Sequence, residues 1–163
     1  MGYYGDPLGK TGKSLSNGLI LPDREWERQN IVLLSCEHLP GWPKFPGPNG
    51  PMNVRGVRVH RLVAPVLKAT WAEVVRRGFH RELRSYDGAY LPRHMLYDPR
   101  RPLSVHAFGA ALDFDARWNG YGLPYSRIAI SRNVVAVFKF YGWQWGGDWN
   151  PTDGMHFQWT LPL

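Results

Sequence analysis

Apolar positions along this chain change period several times, and the changes predict its elements. Between residues 60 and 77, Leu62, Val63, Val66, Leu67, Thr70, Val74 and Val75 recur at helical spacing, while Lys68, Glu73, Arg76 and Arg77 fall largely elsewhere. Pro65 is tolerated only in a first turn, so the regular helix is expected to start near His60 to Leu62, and Gly78 stops it. A second helix is expected over 133–141, capped by Asn133, carrying Val134, Val135, Val137, Phe138 and Tyr141, and closed by Gly142. A shorter one falls within 22–39, with Asp23 as cap and Trp26 as anchor. Strands are expected at 79–85, 103–105, 111–114 and 155–160. In the third, Leu112 and Phe114 take one face while Asp113 and Asp115 take the other. In the last, His156 and Gln158 oppose Phe157 and Trp159. Proline and glycine clusters mark 40–53, the stretch through residue 102, and 117–124 as loops. Helices outside a small, largely antiparallel sheet make the fold class α+β.

The length, 163 residues, suits one domain with a real core. Residues 1–22 are rich in glycine and lysine and read as an extended arm, which leaves 23–163 as a single domain. The arm's run Gly9-Lys10-Thr11-Gly12-Lys13-Ser14 hints at a phosphate loop, but the required first glycine is missing and no strand can precede it. It is read as flexible sequence.

Composition narrows the possible chemistry. At 44% hydrophobic and 20% charged residues the chain is globular, not disordered. No apolar run approaches the roughly 18 residues of a membrane helix, so no stable membrane insertion is expected. The first ten residues lack the apolar core of a signal peptide, which predicts synthesis in the cytoplasm without one. Cys36 is the single cysteine and reads as a small buried hydrophobe. An internal disulfide framework and a thiolate-rich zinc site are both excluded, so a metal here must use imidazole and carboxylate. The formal net charge of +7 implies attraction to polyanions, including anionic cell-wall polymers. The basic groups around Arg76–Arg81 and Arg93–Arg101 sit in no nucleic-acid module, and no nucleic-acid partner is expected.

Against that background, three polar residues interrupt strands that should pack apolar side chains. His106 follows a short strand, Asp113 sits among Ala110, Ala111, Leu112 and Phe114, and His156 lies between Met155 and Phe157. Charge in such positions is costly unless paired or bound to metal. Two histidines, an aspartate and one open position make a sound catalytic zinc shell. A zinc hydrolase also needs a carboxylate outside that shell to move the water's proton. Asp153, three residues before His156, can fold back to supply it, and Asp148 is a second candidate.

The string Ser104-Val105-His106-Ala107-Phe108-Gly109-Ala110-Ala111-Leu112-Asp113 resembles the S-x-H-x-x-G-x-A-x-D signature of the M15 zinc peptidases. Trp145-Gly146-Gly147-Asp148-Trp149, with Asp153-Gly154-Met155-His156-Phe157, resembles that group's second signature. The resemblance spans roughly residues 55–160 and is nearest to the phage endolysin branch. It implies the fold shared by Hedgehog and D-Ala-D-Ala peptidases, with Zn2+ on His106, Asp113 and His156. It also implies Asp153 as general base, and Arg93 as the cation that steadies the substrate carbonyl. The segment around Arg93 departs from the family's usual Ser-Gly-Tyr-Arg form, so Arg84 stays a rival. Asp148 is expected to orient a ligand histidine or bind backbone amides, and Asp115 to lie behind the ligands or in a turn. Ser104 is expected to supply a local hydrogen bond and Gly109 to permit close packing. Of the eight tryptophans, Trp143, Trp145, Trp149 and Trp159 bracket the second motif, as core or as groove lining.

The function implied is a monomeric peptidase on peptidoglycan stem peptides. The bond is that between L-alanine and D-glutamate, or else the terminal D-alanyl-D-alanine bond. A wall-binding or virion module without activity is the non-enzymatic alternative. Action is expected at the bacterial wall, after phage-type release or as part of a virion.

Overall fold

The computed structural model describes residues 2–160. Two short strands, β1 (Lys13–Ser14) and β2 (Ile20–Leu21), pair antiparallel near the amino terminus. Helix α1 (Arg24–Asn30) leads into β3 (Ile31–Ser35), then the hairpin of β4 (Phe45–Gly47) and β5 (Gly50–Met52), then β6 (Gly56–His60). Helix α2 (Ala64–Arg76), β7 (Tyr86–Gly88), β8 (Ala111–Phe114), helix α3 (Arg132–Phe140), β9 (Gln144–Trp145) and β10 (His156–Gln158) complete the order. The main sheet runs β7-β8-β10-β9 with every pair antiparallel, and β3 pairs with β6 separately. The class is α+β, small antiparallel sheets flanked by helices.

Alternation in β8 and β10 divides the sheet into two faces. Leu112, Phe114 and Phe157 are fully buried on one. Phe114 stacks on Trp71 at 6.3 Å between ring centroids and meets Phe138 and Phe157 edge-on at 6.0 Å. Helix α2 presents Leu67, Trp71 and Val74 to this core, and α3 presents Val134, Val137 and Phe138, each set at helical spacing. The other face carries Asp113 and His156. These two are direct cross-strand partners, so a one-residue slip of β10 would put Phe157 where His156 stands.

Helix α2 ends ahead of Gly78, at φ +76°, and takes Pro65 in its first turn, but it starts at Ala64 and not near His60 to Leu62, because His60 closes strand β6. Other expectations are corrected. The helix within 22–39 keeps its Asp23 cap, which accepts from the Trp26 amide, but stops at Asn30. The β-branched Ile31 and Val32 instead enter a five-residue ladder with β6. The stretch 79–85 is not a strand: Phe79–Glu82 is a 3-10 turn. The loop at 40–53 contains the β4–β5 hairpin. Helix α3 is capped by Ser131, whose hydroxyl accepts from the Val134 amide at 3.2 Å, while Asn133 donates to Glu82.

Nor is the amino-terminal segment loose. Tyr4 is 1% exposed, packs against His60 and Phe108, and donates from its hydroxyl to the Trp159 carbonyl. The Trp26 indole donates to the Tyr4 carbonyl at 2.9 Å. Asp23 accepts from Lys10 and Thr11, which fixes the glycine-rich run as a turn. Further on, the His94 amide donates to the Gly18 carbonyl and the Ile20 amide to the Pro92 carbonyl, so the segment clasps the chain around Arg93.

Candidate metal centre

His106, Asp113 and His156 converge from three places in the chain. Asp113 and His156 face each other across β8 and β10. His106 comes from a 3-10 turn, Val105–Phe108. The Ser104 hydroxyl accepts from the His106 amide and starts that turn, and Gly109 ends it at φ +68°. A Cβ on Gly109 would lie 2.6 Å from the His60 backbone nitrogen, so only glycine lets the turn seat against β6. The expected local roles of Ser104 and Gly109 are both seen.

The three side chains meet through His106 Nε2, His156 Nδ1 and the Asp113 carboxylate. His106 Nε2 is 3.2 Å from Asp113 Oδ2, His156 Nδ1 is 3.1 Å from Oδ1, and the two nitrogens are 3.2 Å apart. Both histidines are buried. His106 Nδ1 donates to the Ala89 carbonyl at 2.6 Å, which leaves Nε2 with a lone pair in the neutral ring. Gln158 donates to Gln144, so its carbonyl oxygen faces His156 Nε2 at 3.1 Å and takes that proton. With both rings neutral, two nitrogen lone pairs and an anion point at one spot. That arrangement is repulsive until a proton or a cation enters it. The donor set of two imidazoles and a carboxylate, with its outer N–H groups held by Ala89 and Gln158, fits zinc.

Charge follows this geometry. Burial alone would raise the Asp113 carboxyl, but the charges and hydrogen bonds of His106 and His156 hold it well below the usual carboxylate range. Burial alone would lower His156, but the hydrogen bond and charge of Asp113, with the charge of Asp153, raise it. A proton therefore competes with a metal for this site.

Asp153, Arg93, His106 and His156 all line one cavity of about 270 Å³. Asp153 Oδ1 is buried with no hydrogen-bond partner among the described residues, and burial raises its carboxyl above the ordinary range. Its backbone is pinned: the Asp153 amide donates to the Gly146 carbonyl, and the His156 amide donates to the Asp153 carbonyl. A Cβ on Gly146 would lie 2.4 Å from that Asp153 carbonyl oxygen, which accounts for the glycine in the motif. Arg93 donates to the His94 carbonyl, lies over the Tyr97 ring at 4.9 Å, and keeps a buried Nε without a partner.

Arg84 is placed elsewhere, over the Trp118 ring at 4.7 Å and in a different cavity. Asp148 is exposed and paired with Lys139, and among the described residues it neither orients a ligand nor binds amides. Asp115 holds the Arg84 and Ser85 amides. Trp143, Trp145 and Trp159 are core residues, whereas Trp149 is 36% exposed and its ring is 5.4 Å from His156.

Met95, Leu96 and Tyr121, which the sequence pattern does not mark, line the same cavity, as does Arg101 of the basic group. They lie in loops, and their placement depends on long-range contacts. Leu96 and Tyr97 both adopt positive φ, +53° and +56°, a strained choice for bulky residues. Gln158 was readable, being one strand period beyond His156. A larger cavity, about 430 Å³, lies between α2 and α3 beside Glu73, Arg77 and Phe140 and contains none of the metal-donor residues.

A family model described as D-alanyl-D-alanine carboxypeptidase, of the M15 peptidases, matches residues 98–159. That segment contains all three donors and Asp153. No curated protein and no solved structure matches the chain.

Proposed function

We propose that this chain, whose residues 98–159 match a family model of the M15 peptidases, cuts the amide bond between L-alanine and D-glutamate in peptidoglycan stem peptides. Metal-dependent enzymatic activity follows from the domain match and the donor set, which sets aside a wall-binding module without activity. One observation carries the reading of the site. Three converging donors share a cavity with a buried, unpartnered carboxylate and a guanidinium.

Zinc held there supplies a Lewis acid that polarises the scissile carbonyl and acidifies a water. The chain supplies the rest. Asp153 takes the water's proton on its Oδ1 and hands it to the leaving amine. Arg93 steadies the carbonyl oxygen as it gains negative charge. Ala89 and Gln158 keep the ligand rings turned with their lone pairs inward. Met95, Leu96 and Trp149 provide apolar walls that suit an alanine methyl. The enzyme works as a monomer at the bacterial wall, reached by phage-type release or as part of a virion.

A second reading, D-alanyl-D-alanine carboxypeptidase, is favoured by the description of the matching family model. Arg101, in the same cavity, suits a terminal carboxylate, although the free carboxylate of D-glutamate would also satisfy it. Digestion of purified wall separates the two. New amino-terminal glutamate, identified by mass, is expected; free D-alanine without it would reassign the bond.

A further inference from the structure

The β7 edge of the main sheet borders another cavity, of about 260 Å³, that shares no lining residue with the metal cavity. Three exposed cations line it: Lys44, Arg84 and Arg117. None of them forms an ion pair among the described residues. Instead both guanidiniums gather on one indole. The Arg84 guanidinium carbon is 4.7 Å from the Trp118 ring centroid and that of Arg117 is 5.8 Å away. Trp118 is itself 37% exposed. Asp87 is the one carboxylate in the lining, and its Oδ2 already accepts from the Ser85 hydroxyl and the Ala116 amide.

The backbone beneath these cations is fixed. Asp115 accepts from the Arg84 and Ser85 amides at 2.7 and 2.9 Å, and the Tyr86 amide donates to the Lys44 carbonyl at 2.9 Å. Like charges held together on a rigid frame repel unless an anion joins them, and the same rigidity lowers the ordering cost of binding one.

We propose that this cavity binds oxyanions of a bacterial wall polymer through Lys44, Arg84 and Arg117, with Trp118 holding the two guanidiniums in place. The choice of a wall polymer rests on the function proposed above; the anion site rests on its own geometry. Strand β7 joins the two sites. Asp87 lines the anion cavity, Gly88 pairs with Asp113, and the Ala89 carbonyl holds His106. A polymer docked at the β7 edge therefore lies one strand from the ligand-bearing β8. Its oxyanions are either phosphodiesters attached to the wall or the carboxylates of the stem peptides.

The test is retention of the whole protein on purified walls, either intact or stripped of their phosphate polymers by acid. The triple variant Lys44→Gln, Arg84→Gln, Arg117→Gln is expected to lose roughly tenfold or more of its retention at low salt. A control with the same charge change, Lys10→Gln, Lys13→Gln, Lys68→Gln, should keep it. Trp118→Ala, which changes no charge, should lose part of it. Loss on intact walls alone identifies phosphodiesters; equal loss on both identifies stem carboxylates. Equal retention by the triple variant and its control would overturn the site. The kcat on a soluble stem peptide should be unchanged in all variants, because none of the substituted residues lines the metal cavity. If even the unaltered protein fails to hydrolyse that peptide, the proposed function falls while the retention data still decide the anion site.

Discussion

His106 Nε2 and His156 Nδ1 lie 3.2 Å apart, although each ring has turned its proton outward, to Ala89 and to Gln158. Two facing lone pairs beside the Asp113 carboxylate make a donor set suited to a cation. The chain is expected to bind one zinc per molecule, measured by metal analysis after dialysis. His106→Ala, Asp113→Ala and His156→Ala should each lose it. Chelation should abolish hydrolysis but leave the far-ultraviolet circular dichroism intact, because the core around Phe114 lies on the opposite face of the sheet. Added zinc should raise the melting temperature of the chelated protein, by about 3 kcal/mol of stabilisation at a hundredfold excess over Kd.

Metal binding should weaken in acid. The apo-state pKa of His156 is raised, chiefly by Asp113 acting against burial, so its proton must leave before a metal can enter. Below that pKa the apparent zinc affinity is expected to fall about tenfold per pH unit for each proton displaced. Zinc titrations at several pH values check this.

The two arginines should separate cleanly. Arg93 shares the cavity of His106 and Asp153, whereas Arg84 lies over Trp118 in another. Arg93→Gln is expected to lower kcat on a soluble stem peptide by roughly a hundredfold, the scale of losing one oxyanion donor. Arg84→Gln should leave kcat within about twofold, on the scale of a peripheral surface change. A reversed result would exchange the roles.

His60 ties stability to pH. Burial lowers its imidazole to about 4, and Tyr4 packs on it at 4.8 Å. An unfolded histidine titrates near 6.5. The folded value is the lower one, so this contribution is complete above roughly pH 6.5 and is lost as pH falls toward about 4. Denaturant melts of the chelated protein should show that loss, and His60→Phe should remove it from the slope. Tyr4→Ala is expected to cost about 3–5 kcal/mol, because it empties a buried aromatic site.

Much of the site was legible because period and motif agreed. Asp113 and His156 stood out as polar residues on strands whose alternate positions, Leu112, Phe114 and Phe157, are apolar, and the sheet places them opposite each other. Helix α2 was legible for the same reason, with Pro65 and Gly78 bounding it. Misreadings came where long-range pairing decided the local conformation. Ile31–Ser35 joins β6, from Ile31 with His60 to Ser35 with Gly56, a ladder that no local window reveals. Phe79 and Leu83 are four apart, a spacing that suits a turn better than a strand. Tyr4 reaches Trp159, so the amino-terminal segment is held by a partner 155 positions away. The cavity walls at Met95, Leu96 and Tyr121 had no periodic signal at all.

The central claim is a zinc site served by a separate carboxylate, and Asp153 tests both halves together. Zinc content and stem-peptide hydrolysis should be measured on the same preparations of the unaltered chain and of Asp153→Asn. Both are expected to hold one zinc and the same fold. Only the unaltered chain should cleave, with the variant slower by roughly a hundred- to ten-thousandfold. Cleavage by zinc-loaded Asp153→Asn at the native rate, or full activity of the unaltered chain without metal, would contradict the account.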